Sequence, residues 1–541
     1  MASATERGAI AAGTTPAAPV PAGCFGLHAT TSFELATGAT VGARLLPQAA
    51  WYFRDEIVAV PCPGTRAAGF APRATIADDL RQWQSTFGDA IPADLPPLVW
   101  VAASARWDHV ALAADGSTIA ADGREWPARW VAKIPLNRSY ADATSYAYLA
   151  RRPLRLRGEA RSDGFTIRAV WPEDWRLPAS IEPRPLGADA IASLRSLARE
   201  QPQGGARSPF AALRLWARKG TDTAPGTPVL AFLVNGAQGD DDEAHAGHFA
   251  ILTGRIGGDG GIGDWLVNDF YTLDSESEKG ILAAPVPLDN YLGDLNAGQA
   301  WYRPSTMLVA VLRESDAANL VQSALGRVYN HFYRHQLVYY HPDANCTSIS
   351  VDTLRALGLA VPPRPAAHPV LAAAGFPLLL LRARSLAKAK QQCDYWSTDP
   401  VRLLPAVALE EILATLLGLV GPPGTGTAPR GRLAALLARD LVSLLFVRIP
   451  QLPSSRAWGD APVGSLAEYA ARLPRPPAQP VVVPVPLRPL PEALRPPDLP
   501  PPPLRRSDIV AALWGVLLIV GIPALARALW RRWRLLRSAP L

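Results

Sequence analysis

At 541 residues the chain is too long for one ordinary hydrophobic core, and length alone predicts two to four domains. Hydrophobic residues make up 49% and charged residues 19%, which excludes a wholly disordered chain, while the 54 prolines are about twice the usual share. The net charge of +7 is carried almost wholly by arginine, with only five lysines, and is densest at the extreme C-terminus. It therefore points to a membrane surface and not to nucleic acid. An excess of Ala, Arg and Pro is the composition of a GC-rich bacterial genome.

Residues 1–25 are polar and read as a flexible N-terminus, with no apolar stretch of the kind a secretory signal needs. The four cysteines, at 24, 62, 346 and 393, form neither a C-x-x-C pair nor a zinc spacing. If the body is exported, Cys24 and Cys62 are available to form a disulfide; otherwise they are two free thiols. Residues 26–184 read as a β-rich domain. Short segments such as LVWVAAS (98–104), HVALAA (109–114) and GFTIRAVW (164–171) are separated by turn signals of the DGS and DGR kind. No catalytic grouping is visible there.

Residues 185–400 carry most of the histidines and the cysteine of greatest interest. A strand, VLAFLVNG (229–236), leads into the acidic loop DDDEAHAG; GHFAILTGRI and WLVNDFYTL then form a hairpin with a long glycine-rich turn. That hairpin places either Asn268 or Asp269 opposite His248. The following VQSALGRVYNHFYRHQL is helical in pattern, and YYHPDANCTSISVDTLRALG opens a second helix, with Asp343, Asn345 and Thr347 offering capping chemistry. Cys346 thus falls at a helix start, where unsatisfied amides and the dipole favour a thiolate and can hold an oxyanion. A helix-start cysteine, a strand histidine and an adjacent Asn or Asp are the parts of a thiol nucleophile site, with Cys346, His248 and Asn268 or Asp269 in those roles. A small cysteine buried for packing alone fits the same pattern.

The run YYHPDANCTSISVDTL, with GHFAIL, VNDFYTL and VYNHFYRHQL before it, resembles a bacterial envelope cysteine-protein family associated with the periplasmic domain of a lipoprotein N-acyltransferase. The order His before Cys is similar to the permuted papain-like fold of the lecithin:retinol acyltransferase type. The resemblance covers about residues 230–360 and implies a Cys346–His248 acyl-enzyme mechanism on lipid acyl groups, lipoproteins or envelope peptides. It leaves out the N-terminal β-rich region and everything after the papain-like part.

A metal site is the main rival: His245 and His248 lie close to Asp240, Asp241, Asp242 and Glu243. Those histidines lie on a loop entering a strand and not on one helix face, so no metal is expected. His331 and His335 share a helix face four residues apart, and His341 is near enough to Cys346 in sequence to serve as a second base. The loops GRIGGDGGIGDW and GPPGTGTAPRG lack a P-loop lysine, so no nucleotide and no other cofactor is expected.

Residues 401–470 read as a helical hairpin, with leucine-rich helices near 402–420 and 430–448. Residues 471–507 are proline-rich and read as a polyproline stalk. Residues 508–530 contain eighteen uncharged residues (509–526), with Trp514 and Trp530 near the ends, and read as one transmembrane helix. Five arginines follow the span, which assigns residues 531–541 to a basic cytoplasmic tail. The expected architecture is therefore an α+β chain: a β-rich N-terminal domain, a permuted papain-like domain, a helical segment, a stalk and a C-terminal anchor. The expected place is the bacterial inner membrane, single-pass, with the body periplasmic. The expected function is a membrane-anchored thiol hydrolase or acyltransferase; the alternative is a non-catalytic envelope binding protein keeping the same fold.

Overall fold

The computed structural model describes five short strands between residues 26 and 61, then residues 75–86, most of 98–472, and residues 506–517 and 521–537. The longer gaps within the main body are 200–208, 238–245, 272–282 and 422–428. The Cys24–Cys62 pair, the acidic loop with His245, His335 and nearly all of the proline-rich segment lie outside the described residues.

The early strands pair locally: β1 (Gly26–Ala29) with β6 (Leu98–Val101), β2 (Thr40–Val41) with β3 (Arg44–Leu45), and β4 (Gln48–Phe53) with β5 (Glu56–Pro61). Five strands then close a barrel in the order β10 (Leu154–Arg161), β11 (Gly164–Pro172), β9 (Arg124–Trp130), β8 (Thr118–Ala121), β7 (Ala105–Leu112). Val110, Ile119, Leu154, Leu156, Phe165 and Ile167 fill it, the alternation of buried and exposed positions in β8 reflecting the two-residue strand period.

The second unit is an eight-stranded sheet. Its order is β12 (Glu182–Pro183), β13 (Ala211–Ala217), β19 (Leu441–Ile449), β18 (Ser305–Leu312), β14 (Pro228–Asn235), β15 (His248–Arg255), β16 (Leu266–Asp269), β17 (Ala284–Pro287). All neighbours run antiparallel except β12 and β13. Every residue of β14, β18 and β19 is buried, so these strands read as unbroken apolar runs. Barrel and sheet share one hydrophobic core. They are also tied by ion pairs from the barrel to the helix Leu288–Gly293 and its end. Arg157 Nε meets Asp289 Oδ1 at 3.0 Å, Arg155 Nη1 meets Asp289 Oδ2 at 3.2 Å, and Arg168 Nε meets Asp294 Oδ2 at 2.6 Å.

Two expectations are corrected. The transmembrane helix expected over 508–530 is not found: the described parts of this segment are the helices Arg506–Val516 and Ile522–Arg537, and no helix among the described residues is long and apolar enough to cross a membrane. Arginines from Arg527 onward charge most of the helix Ile522–Arg537. The fold is a mixed α/β chain with a closed β-barrel and a large sheet. The second leucine-rich helix is also shorter than expected. It runs from Arg432 to Asp440, and the residues after it become β19, between β13 and β18.

Candidate active site

His248 opens β15, and the hairpin to β16 pairs Ile251 with Asn268 and Thr253 with Leu266. Successive residues of a strand face opposite sides, so Asn268 and Asp269 diverge. Asp269 turns to the histidine, its Oδ1 2.7 Å from His248 Nε2. Asn268 turns away: its Nδ2 donates to Gln322 Oε1 at 3.0 Å and to the Ile251 carbonyl at 3.1 Å, and its Oδ1 accepts from Gln322 Nε2 at 2.8 Å. With all its contacts made inside the sheet and to the helix Asp316–Tyr333, Asn268 is a structural residue.

Gly247 sets the approach to the strand. Its φ is +91°, and a Cβ there would lie 2.5 Å from the Asn235 carbonyl oxygen, so only glycine lets the chain enter β15 at this angle.

Cys346 is the first residue of the helix Cys346–Ala356. Asn345 caps it: its side-chain oxygen accepts from the Thr347 and Ser348 amides, each at 2.8 Å, and Ser348 Oγ accepts from the Asn345 amide at 2.8 Å. Asn345 Nδ2 also donates to the His341 carbonyl at 2.7 Å, fixing the preceding turn. Two of the first three helix amides are thus spent on the cap. The third, that of Cys346, donates to the phenolic oxygen of Tyr339.

The thiol of Cys346 lies near enough to the His248 ring and the Phe249 backbone N–H for both to favour its thiolate. With Nε2 held by Asp269, Nδ1 is the ring nitrogen left for sulfur. Thr347 Oγ1 lies 3.8 Å from the sulfur. Cys346 is 5% exposed, His248 8% and Asp269 2%, so the three groups meet in a largely dry setting. Burial is the largest influence on both titrating groups and opposes charge on each. Even so, the charge and hydrogen bond of His248, with the Phe249 amide and Thr347, bring the Cys346 thiol down to about 7. The thiolate and Asp269 in turn raise His248 to about 10. Both shifts favour a thiolate–imidazolium pair over the neutral one.

Tyrosines surround the pair. Tyr291, whose ring centroid is 6.5 Å from that of His248, donates to Asn235 Oδ1 at 2.7 Å, and Asn235 Nδ2 donates to Ser305 Oγ at 2.7 Å. Tyr329 donates to the Asp269 carbonyl at 2.8 Å and stacks on Phe270. The sequence reading missed Tyr291, Tyr329 and Tyr339; the aromatic density of VYNHFYRHQLVYY was the signal that could have found the last two. His341 is turned to Tyr395, with Nδ1 2.8 Å from its hydroxyl, and makes no hydrogen bond to Cys346 among the described contacts. No group of three or more His, Cys, Asp or Glu able to hold a metal occurs among the described residues.

No protein-family model matches the chain, and neither the curated proteins nor the solved structures yield a match.

Proposed function

We propose that the chain is a thiol hydrolase or acyltransferase acting through an acyl-enzyme on Cys346. The observation that carries this reading is the single imidazole of His248, bridging the carboxylate of Asp269 and the thiol of Cys346. The Cys346 thiolate attacks the carbonyl carbon of an ester, thioester or amide; a C–S bond forms as the carbonyl electrons move to oxygen. Collapse of the tetrahedral adduct expels the leaving group, which takes its proton from the His248 imidazolium. Neutral His248 then removes a proton from water or an amine, which attacks the thioester and releases the thiolate. Asp269 orients the ring throughout and supports its charged form. The amide of Cys346 and the hydroxyl of Tyr339, which interact in the resting site, would supply the oxyanion donors. The sequence resemblance favours lipid acyl chains, lipoproteins or envelope peptides as substrates.

The test is to incubate the full chain with acyl p-nitrophenyl esters and a diacylated lipopeptide, then map adducts by mass spectrometry. A hydroxylamine-labile acyl group on Cys346, with turnover abolished by Cys346→Ala, is expected. Absence of any adduct, or turnover unchanged in Cys346→Ala, sinks the reading.

The 5% exposure of Cys346 favours a second reading, a non-catalytic binding module that retains the site as packing. Iodoacetamide separates the two. Cys393 is 1% exposed, and burial followed by the Asp394 charge pushes its thiol up. Faster alkylation of Cys346 than of Cys393 near neutral pH supports catalysis, and equal slow rates support the binding module.

A further inference from the structure

Helices Pro369–Ala374, Phe376–Ala383 and Leu386–Ser397 build a small second core with Arg506–Val516, separate from the main one. Ala372, Phe376, Leu379, Ala389 and Cys393 are its buried members, and Val510, Ala511 and Trp514 pack against them. Trp514 Nε1 donates to the Ala373 carbonyl at 2.6 Å, Ser507 Oγ to Asp394 Oδ2 at 2.8 Å, and Lys390 pairs with Asp508.

What this small core leaves outside is unusual. Leu378 and Leu381, one helical turn apart, are 70% and 74% exposed; Ile509 and Leu513 are 51% and 65% exposed; Leu525 and Leu529 are 61% and 57% exposed. These pairs sit three or four residues apart, the spacing that puts side chains on one helix face. The same segments carry the exposed cations Arg382, Arg384, Lys388, Arg527 and Arg531. Segments 364–397 and 506–537 together contain eleven Lys and Arg but only two acids, Asp394 and Asp508. Both acids are already engaged, Asp394 by Tyr340 and Ser507, Asp508 by Lys390.

We infer that these leucine- and arginine-bearing helices dock the protein on the surface of an anionic lipid bilayer, lying in the interface without crossing it. Exposed leucines beside a dense positive charge and an exposed tryptophan, Trp530, are the signature of interfacial helices, which sink an apolar face about 5–10 Å into the headgroup boundary. A second copy of the chain is disfavoured as the occupant, because two such faces would set like charge against like charge. The inference stands independently of Cys346.

The experiment is vesicle flotation of the full chain, with phosphatidylcholine vesicles compared against vesicles that also contain phosphatidylglycerol. Binding is expected only with the anionic lipid and is expected to weaken with added salt. The Arg382→Ala/Lys388→Ala/Arg527→Ala variant should lose affinity on the order of 100-fold, about fivefold per cation. Leu378→Gln/Leu381→Gln should lose binding at constant charge. All the changed side chains are exposed, so both variants should keep the parental melting temperature, and Cys346→Ala should float like the parent. Failure of the parent to float with either vesicle overturns the proposal. So does equal binding to both vesicles, or sedimentation showing a dimer that the leucine variant abolishes.

Discussion

Asp269 acts on sulfur only through the His248 ring, so its effect is measurable without any substrate. In Asp269→Asn the imidazolium loses its carboxylate and the His248 pKa falls; the thiol then loses its cationic neighbour and rises from about 7 toward its ordinary 9.0. The pH midpoint of iodoacetamide alkylation should move up accordingly. The rate near neutral pH should fall by one to two orders of magnitude, a pKa unit being worth about a factor of ten. In the parent, reactivity should climb through about 7, as the thiolate forms, and hold while His248 stays charged, up to about 10. Tyr339→Phe should behave differently. Removing a hydroxyl that meets the Cys346 amide should lower kcat by roughly 100-fold while KM and the alkylation midpoint hardly change, the split that marks a group acting on the transition state.

At the level of elements, the site depends on how two chain segments begin. Gly247→Ala forces a side chain into a left-handed φ and against the Asn235 carbonyl, and it displaces the residue that opens β15. A loss of roughly 1–3 kcal/mol in chemical denaturation, together with lost activity, is expected. Asn345→Ala removes the cap of the Cys346 helix and should cost about 1 kcal/mol. Both segments were legible in the sequence because their signals are local: alternation in GHFAILTGRI for the strand, and the capping chemistry of Asp343, Asn345 and Thr347 ahead of the apolar stripe SISVDTLRAL for the helix start. The choice between Asn268 and Asp269 was not legible, since it turns on a register that only the paired strands define. LVSLLFVRI misled for a related reason. A strand covered on both faces has no alternation, and leucines suit either a helix or such a strand, so its place between β13 and β18 is written in tertiary contacts alone.

For the molecule as a whole, the barrel is bound to the sheet by a shared core and by buried ion pairs. Asp289 is 1% exposed and serves both Arg155 and Arg157, and Arg157 Nη2 is buried with no other partner. Asp289→Ala would strand the buried Arg157 guanidinium, while Arg155 keeps Asp108 and Asp264, and should destabilise by about 3–5 kcal/mol. Because barrel and sheet share one core, calorimetry of the parent should show them melting together; a separate barrel transition in the parent would refute the shared core. Residues 509–526 were read from sequence as a span because eighteen uncharged residues stand there in a row, whereas the described helices Arg506–Val516 and Ile522–Arg537 are each too short or too charged to cross a membrane.

The position of β19 also has a consequence for biosynthesis. Strands β14 to β18 and the Cys346 helix are all translated before Leu441, whereas β13, translated earlier still, must wait for β19 as its antiparallel neighbour in the sheet. At about 5–20 residues per second, the stretch between Leu312 and Leu441 takes on the order of ten seconds to synthesise. During that interval the nascent chain carries two apolar strand edges, on β13 and β18, with nothing between them. Those edges are the sites at which a chaperone would be needed on the ribosome, and a chain terminated before Leu441 would aggregate through them even though every residue of the Cys346–His248–Asp269 relay had been made.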